Sequence, residues 1–162
     1  MTRDSHPTRH EPWLSVHADQ DEPEMLGSAC SRGRQLSYAE AIREALDQAM
    51  RFDERVFVMG QDVDAPTAMF GATKDLHKVH GPERSFDTPL AEMALMGIAV
   101  GAALGGQRPI YLHNRPDFLL LASDQLINHA SKWHYMFGGA VNVPLVVWSC
   151  IGRGWGSAAQ HS

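Results

Sequence analysis

The chain has 162 residues, 44% of them hydrophobic, which is enough for one domain with a real core and too few for two large ones. Charged residues make up 20% and the formal net charge is −5, so no basic stripe is available to meet a nucleic acid or an anionic membrane. No apolar run approaches the ~18 residues of a membrane span. Cys30 and Cys150 are the only cysteines and make no disulfide framework, so the expected compartment is a reducing cytoplasm.

Residues 1–35 read as a polar arm, rich in His, Asp, Glu and Pro, with little capacity to build a core. It has no apolar h-region and is too acidic for an Arg/Ser-rich transit peptide. His6, His10 and His17 are irregularly spaced within it, which favours solvated side chains over metal ligands. From Leu36 the pattern changes. Ser37-Tyr38-Ala39-Glu40 is a capping box, and Ile42, Ala45, Leu46 and Ala49 follow at helical spacing. Residues 55–60 predict a short buried strand closed by Gly60. Residues 73–79 predict a short helix stopped by Gly81 and Pro82, and 85–87 a brief strand.

A helix of small residues is expected over 90–104, with Thr88 able to cap it and Pro89 suited to its first position. A strand over 109–113 and a long helix over 117–136 come next, the helix ended by Gly138-Gly139. Residues 143–148 form an uninterrupted apolar strand, and the glycine-rich segment 151–162 carries Arg153, Trp155 and His161. Continuously apolar strands separated by helices indicate an α/β fold: a doubly wound, mostly parallel sheet with helices on both faces, spanning 36–162. In such sheets the ligand crevice lies outside the carboxyl ends of the strands. The segments after Gly60, before Glu92, at 113–117 and at 151–161 therefore share one rim.

On that rim Glu92 has two readings. It complements a helix dipole, or, among Leu90, Met93 and Leu95, it shares a proton with a ring nitrogen. Gly97, Ala99, Gly101, Ala102 and Ala103 admit a close neighbour, either the sheet or another subunit. His113, Asn114, Arg115 and Asp117 follow an apolar strand and read as a pocket wall or as an ordinary loop with Asp117 as cap. Gly152-Arg153-Gly154-Trp155-Gly156 has the wrong spacing for a dinucleotide fingerprint and is rejected as one.

Several segments carry a resemblance: Met59-Gly60-Gln61-Asp62-Val63, Asp87-Thr88-Pro89-Leu90-Ala91-Glu92, residues 97–109, Asp117-Phe118-Leu119-Leu120, and Asp124-Gln125-Leu126-Ile127-Asn128. Tyr135-Met136-Phe137-Gly138-Gly139, Val143-Pro144 and Ala159-Gln160-His161-Ser162 complete it. In order and spacing they resemble the E1 beta subunits of 2-oxoacid dehydrogenases such as pyruvate dehydrogenase, and more distantly transketolase, over about 36–162. The resemblance implies a pyrimidine-binding domain for thiamine diphosphate, supporting 2-oxoacid decarboxylation and acyl or ketol transfer. Glu92 would hydrogen-bond N1′ of the aminopyrimidine and so promote loss of the C2 proton. Leu90 would supply an apolar pocket contact, Phe118 an aromatic wall, and His161 a group on the substrate side. The Leu145 backbone carbonyl matches a potassium ligand of some members.

This chain also departs from that pattern. Leu112-His113-Asn114 stands where the family often has Glu-Phe-Met, so Asn114 replaces an apolar cofactor neighbour. With His113, Arg115, Arg153 and Trp155 on the substrate side, the expected donor is more polar or anionic than pyruvate. The Gly-Asp-Gly…Asn motif that holds magnesium and diphosphate is missing from the sequence. An E1 alpha-like partner is expected to bring both, in a hetero- or homo-oligomer, and the chain is expected to be inactive alone. The C-terminal transketolase domain would come from a separate chain, unless this is a non-catalytic interaction module that kept the fold.

Overall fold

The Ser37 hydroxyl accepts the Glu40 backbone N–H at 3.3 Å, and the Glu40 carboxylate accepts the Ser37 N–H at 2.8 Å. This reciprocal cap starts helix α1, Tyr38–Phe52, in the computed structural model, which describes residues 34–151 and 161. The chain divides into two units, Met1–Gln35 and Leu36–Ser162, and every described element belongs to the second. His6, His10, His17 and Cys30, like Arg153 and Trp155, lie outside the described residues.

After α1 come β1 (Val56–Gly60), α2 (Leu76–His80), β2 (Ser85–Asp87), α3 (Glu92–Leu104) and β3 (Arg108–His113). A broken helical stretch, Pro116 to Met136, leads to β4 (Val146–Ser149). The four strands form one parallel sheet in the order β2-β1-β3-β4. The chain thus winds outward from β1 to β2, crosses back over β1 to β3, and continues to β4. That reversal puts a topological switch point between the carboxyl ends of β1 and β3.

Strand alternation sorts the core onto two faces. Val56, Val58 and Leu112 pack with Leu46 and Met50 of α1 and Leu76 of α2, joined by Ile110 and Trp148. Met59 and Tyr111 point the other way, against Leu95, Met96 and Ala99 of α3 and Ala122, joined by Phe57 and Val147. Helices therefore cover both faces, which is why these strands are apolar throughout rather than alternating. α3 packs on the sheet along one side and leaves Met93 and Ile98 more than half exposed on the other.

The strand ends are tied by charge. Arg84 donates from Nη2 to the carbonyls of Met50 and Asp53 at the C-terminal end of α1, at 2.7 and 2.9 Å, and to that of Val56 at the start of β1, at 2.7 Å. Asp53 caps that helix end and accepts from Arg55 at 2.8 Å and from Arg108 at 3.1 Å, linking α1 to the start of β3.

Four expectations are corrected in detail. α3 starts at Glu92, with Ala91 rather than Thr88 as cap, because the Thr88 N–H is held by the Gly60 carbonyl at 3.0 Å and keeps 88–90 on the sheet rim. The expected helix over 117–136 begins one residue early, with Arg115 at its N-cap instead of Asp117. It then breaks into α4 (Pro116–Leu119), a 3₁₀ turn (Leu120–Ala122), a π segment (Gln125–Ala130) and α5 (Ser131–Met136). Ser123 and Ser131 donate their hydroxyls to the carbonyls of Leu120 and Ile127 at 2.6 and 2.7 Å, competing for acceptors that a regular helix would use. β4 starts at Val146, because Pro144 has no N–H and the Leu145 N–H turns back to Val143 at 2.8 Å. α2 spans Leu76–His80 instead of 73–79, since the Thr73 hydroxyl is buried in a bond to the Val63 carbonyl.

Gly60 ends β1 at φ +151°, where an added Cβ would sit 2.2 Å from the Leu112 carbonyl oxygen. Gly60→Ala should cost at least about 3 kcal/mol, because backbone rather than a flexible side chain must move; the fall in urea midpoint measures it. Asp53 gives a second expectation. Its carboxyl is held at about 2, against an ordinary 3.8, mainly by its hydrogen bonds from Arg55, with burial opposing. A depressed carboxyl stabilises the fold above its unfolded value and loses that contribution as pH falls through the folded one. Asp53→Asn should therefore lose about 1 kcal/mol or less at neutral pH, since both arginines are half exposed. The difference from wild type should shrink as pH falls below about 4 and be lost only below pH 2, as urea denaturation across that range would show.

Candidate active site

At the switch point the rim opens into a pocket of about 610 Å³, within the range of small-ligand and cofactor sites. Gln61 and Asp62 enter it directly after β1, and Asn114 and Arg115 directly after β3. Leu90 comes from the β2–α3 connection, Glu92 from the first residue of α3, Phe118 and Leu121 from the broken helix, and His161 from the closing segment. Asn114 donates toward Asp62 at 3.5 Å across the β1–β3 junction, while the buried Oδ1 of Asn114 has no partner among the described residues. Phe118 and His161 meet edge to face, ring centroids 5.5 Å apart. Leu90 is 78% exposed beside the half-buried Glu92.

Arg115 is buried and reaches the Cys150 carbonyl at 3.5 Å. Burial pushes the Cys150 thiol up, with the Arg115 charge opposing. Behind the pocket, Tyr111 is fully buried and its hydroxyl is pushed up to about 12, first by burial and then by the charge on Glu92. His113 is buried too. Burial lowers its imidazole below the ordinary range, against the Phe118 backbone and the Glu92 charge.

Leu90, Glu92, Asn114, Arg115, Phe118 and His161, singled out in the sequence, thus line one cavity. His113 does not line it but lies beneath its wall, and Leu145 packs among the apolar side chains on the α3 face of the sheet. Sequence reasoning missed Gln61, Asp62, Met69, Phe70 and Leu121 as lining residues. Asp62 had a usable signal, its place just past β1 at a strand end. Phe70 had none. Ala68, Met69 and Phe70 all take positive φ, 43°, 45° and 59°, a left-handed turn that these residue types rarely adopt. That turn buries Met69 and leaves Phe70 60% exposed at the pocket mouth.

The arrangement offers a flat heteroaromatic ring an aromatic wall, an apolar contact, and a carboxylate able to share a proton with a ring nitrogen.

Residues 34–162 match the family described as transketolase, pyrimidine binding domain. The chain is 42% identical over 139 residues to the acetoin:2,6-dichlorophenolindophenol oxidoreductase subunit beta of Cupriavidus necator, covering 80% of this chain and 41% of that protein. It is 40% identical over 138 residues to the mitochondrial pyruvate dehydrogenase E1 component subunit beta of Caenorhabditis elegans, covering 85% and 39%. Against the Bos taurus protein of the same name it is 41% identical over 128 residues, covering 79% and 36%. The chain spans about two fifths of the length of these relatives. A parallel sheet with its pocket at the switch point and a family match along nearly all of the described chain lead to one assignment: the chain belongs to the transketolase pyrimidine-binding domain family.

Proposed function

We propose that this chain is the pyrimidine-binding part of a thiamine-diphosphate-dependent 2-oxoacid dehydrogenase, acting in the manner of an E1 beta subunit. The observation that carries the reading is the convergence of Glu92 and Phe118, from different elements, on one pocket at the switch point. An aminopyrimidine is flat and presents a ring nitrogen and an exocyclic amine. Phe118 would cover its face, Leu90 would meet its apolar edge, and the unpartnered Asn114 Oδ1 would accept from the amine. Glu92 would hold a proton at the ring nitrogen. When bound, thiamine diphosphate supplies the carbanion chemistry at C2, and the protein orients and tunes it. His161, set against Phe118, would face the substrate.

The missing diphosphate motif assigns magnesium and diphosphate to an E1 alpha-like partner. Exposed Leu90, Met93, Ile98 and Leu120 around the pocket and on α3 are apolar surface that such a partner would cover. Arg115 lines the pocket and would help select a polar or anionic donor, whereas Arg153 and Trp155, expected on the same side, lie outside the described residues. Potassium would need donors beyond the single Leu145 carbonyl. Among the described residues no helix is long and apolar enough to cross a membrane, and the cytoplasm remains the proposed compartment on the cysteine count.

The test is hydrogen–deuterium exchange at the cofactor C2, beside steady-state turnover, in the complex reconstituted with the partner. Glu92→Gln should slow exchange, and His161→Ala should spare exchange but lower turnover, each by about 10²–10⁴. Wild-type exchange in Glu92→Gln would return that carboxylate to a helix-dipole role. Normal turnover in His161→Ala would make the histidine incidental. The chain alone should bind thiamine diphosphate negligibly by calorimetry, and tight magnesium-dependent binding would overturn the two-chain reading.

A further inference from the structure

The connection from β1 to α2 holds the most strained backbone among the described residues. Ala68, Met69 and Phe70 are three successive non-glycine residues at φ 43°, 45° and 59°, and Asp62 and Asp75 near its two ends take 58° and 60°. Each such residue brings its Cβ too close to the following carbonyl oxygen. A run of them persists only where the surroundings over-determine it, and such places cluster at ligand sites.

Here the surroundings do so from both sides. Met69 is buried in the same core cluster as Val63 and Leu76. The Thr73 hydroxyl donates to the Val63 carbonyl at 2.8 Å, and the Thr73 N–H to the Ala68 carbonyl at 3.2 Å. The Gly71 N–H is shared between the carbonyls of Thr67 and Ala68 at 3.0 and 2.9 Å. Past the turn, Arg43 of α1 donates to the Lys74 carbonyl at 2.8 Å, and His80 of α2 meets Asp47 of α1 at 2.7 Å. What this pinned turn presents outward is one ring. Phe70 lines the pocket and is 60% exposed, while Arg115 is buried and Glu92 and Asn114 are half-buried in the same cavity. The ring therefore stands at the mouth, beyond the groups that would hold the aminopyrimidine.

We propose that Phe70 is a specificity-determining residue: held at the mouth by the left-handed turn, its ring closes over the side chain of the 2-oxoacid donor and limits that side chain to a few carbons. The inference rests on the reading of the pocket given above and names the size class of its donor. A ring on a yielding loop would move aside for a larger ligand. On a backbone tied to the core at Met69 and to α1 beyond Lys74, Phe70 can change only its two side-chain torsions, so it selects by volume.

The turn is tested without any cofactor, by urea denaturation of Phe70→Gly and Phe70→Ala in the full chain. Both lose the ring and differ only in the backbone. On ordinary backbone alanine is the more stable of the two, but at φ 59° the order should reverse, with the higher midpoint in Phe70→Gly. A higher midpoint in Phe70→Ala would overturn the strained placement and the proposal with it. The filter is tested in the reconstituted complex with straight-chain 2-oxoacids whose side chains grow from one carbon to five. Phe70→Ala should raise kcat/KM for the longest donors relative to the shortest by about tenfold or more, chiefly through KM. Phe70→Tyr, which keeps the ring, should keep the wild-type ratio. An equal change for every donor would make the ring merely structural and refute its role. Slowed C2 exchange in Glu92→Gln beside an unchanged donor ratio in Phe70→Ala sinks the Phe70 assignment alone. Normal exchange in Glu92→Gln removes the cofactor reading beneath it.

Discussion

The approach of β1 to β3 at Gly60 and Leu112 is the constraint on which the rest of the site depends. Parallel strands lie about 4.8 Å apart, and at this junction the backbone of β1 leaves no volume for a side chain at its last residue. Beyond the contact β1 runs on to Asp62 and β3 to Asn114, whose side chains meet across the junction, and both line the pocket. The Gly60 carbonyl also receives the Thr88 N–H, so the same residue aligns the β2–α3 connection that delivers Leu90 and Glu92. One glycine thus sets the register of three of the pocket's walls.

Around that junction the charges are arranged unevenly. Arg115, the cation of the pocket lining, is turned into the protein toward the Cys150 carbonyl. Glu92 and Asp62 face the cavity. Asp87, on the rim, has its carboxyl raised by burial and by its neighbour Asp64, although the Asp64 backbone N–H at 3.1 Å opposes the shift. The cavity thus presents carboxylate and amide acceptors beside an aromatic ring. This suits a ligand whose polar edge carries donors and a titratable nitrogen, and it is poorly suited to a phosphate.

How much of this was legible in the sequence depended on whether local pattern or tertiary contact decided each feature. The capping box at Ser37 and the glycines at 138 and 139 act within a few residues, and those boundaries stand as read. The layered fold was legible because burial on both faces leaves strands such as Val56-Phe57-Val58-Met59 apolar at every position. The break in the helix after Pro116 was not, since Ser123 and Ser131 are ordinary surface residues until their hydroxyls turn back onto the helix. The left-handed turn at Ala68 was illegible for a stronger reason: the residue types there argue against it. His113 is a different case. Its distance of two residues from Tyr111 already placed it on the α3 side of the sheet, but reading it as part of a loop discarded that information.

The strand order has a further consequence in time. β1 is hydrogen-bonded on one side to β3, whose first residue follows about fifty positions later in the chain. Loop closure over such a distance must be completed before the pairing is rewarded. At typical synthesis rates the ribosome needs several seconds to deliver that partner. For that interval the run Val56-Phe57-Val58-Met59, fully apolar because it is destined for the centre of the sheet, is a strand with an open side. The nascent chain therefore has a window in which association with another chain competes with its own folding. The window closes only when β3 has docked and Gly60 has met Leu112.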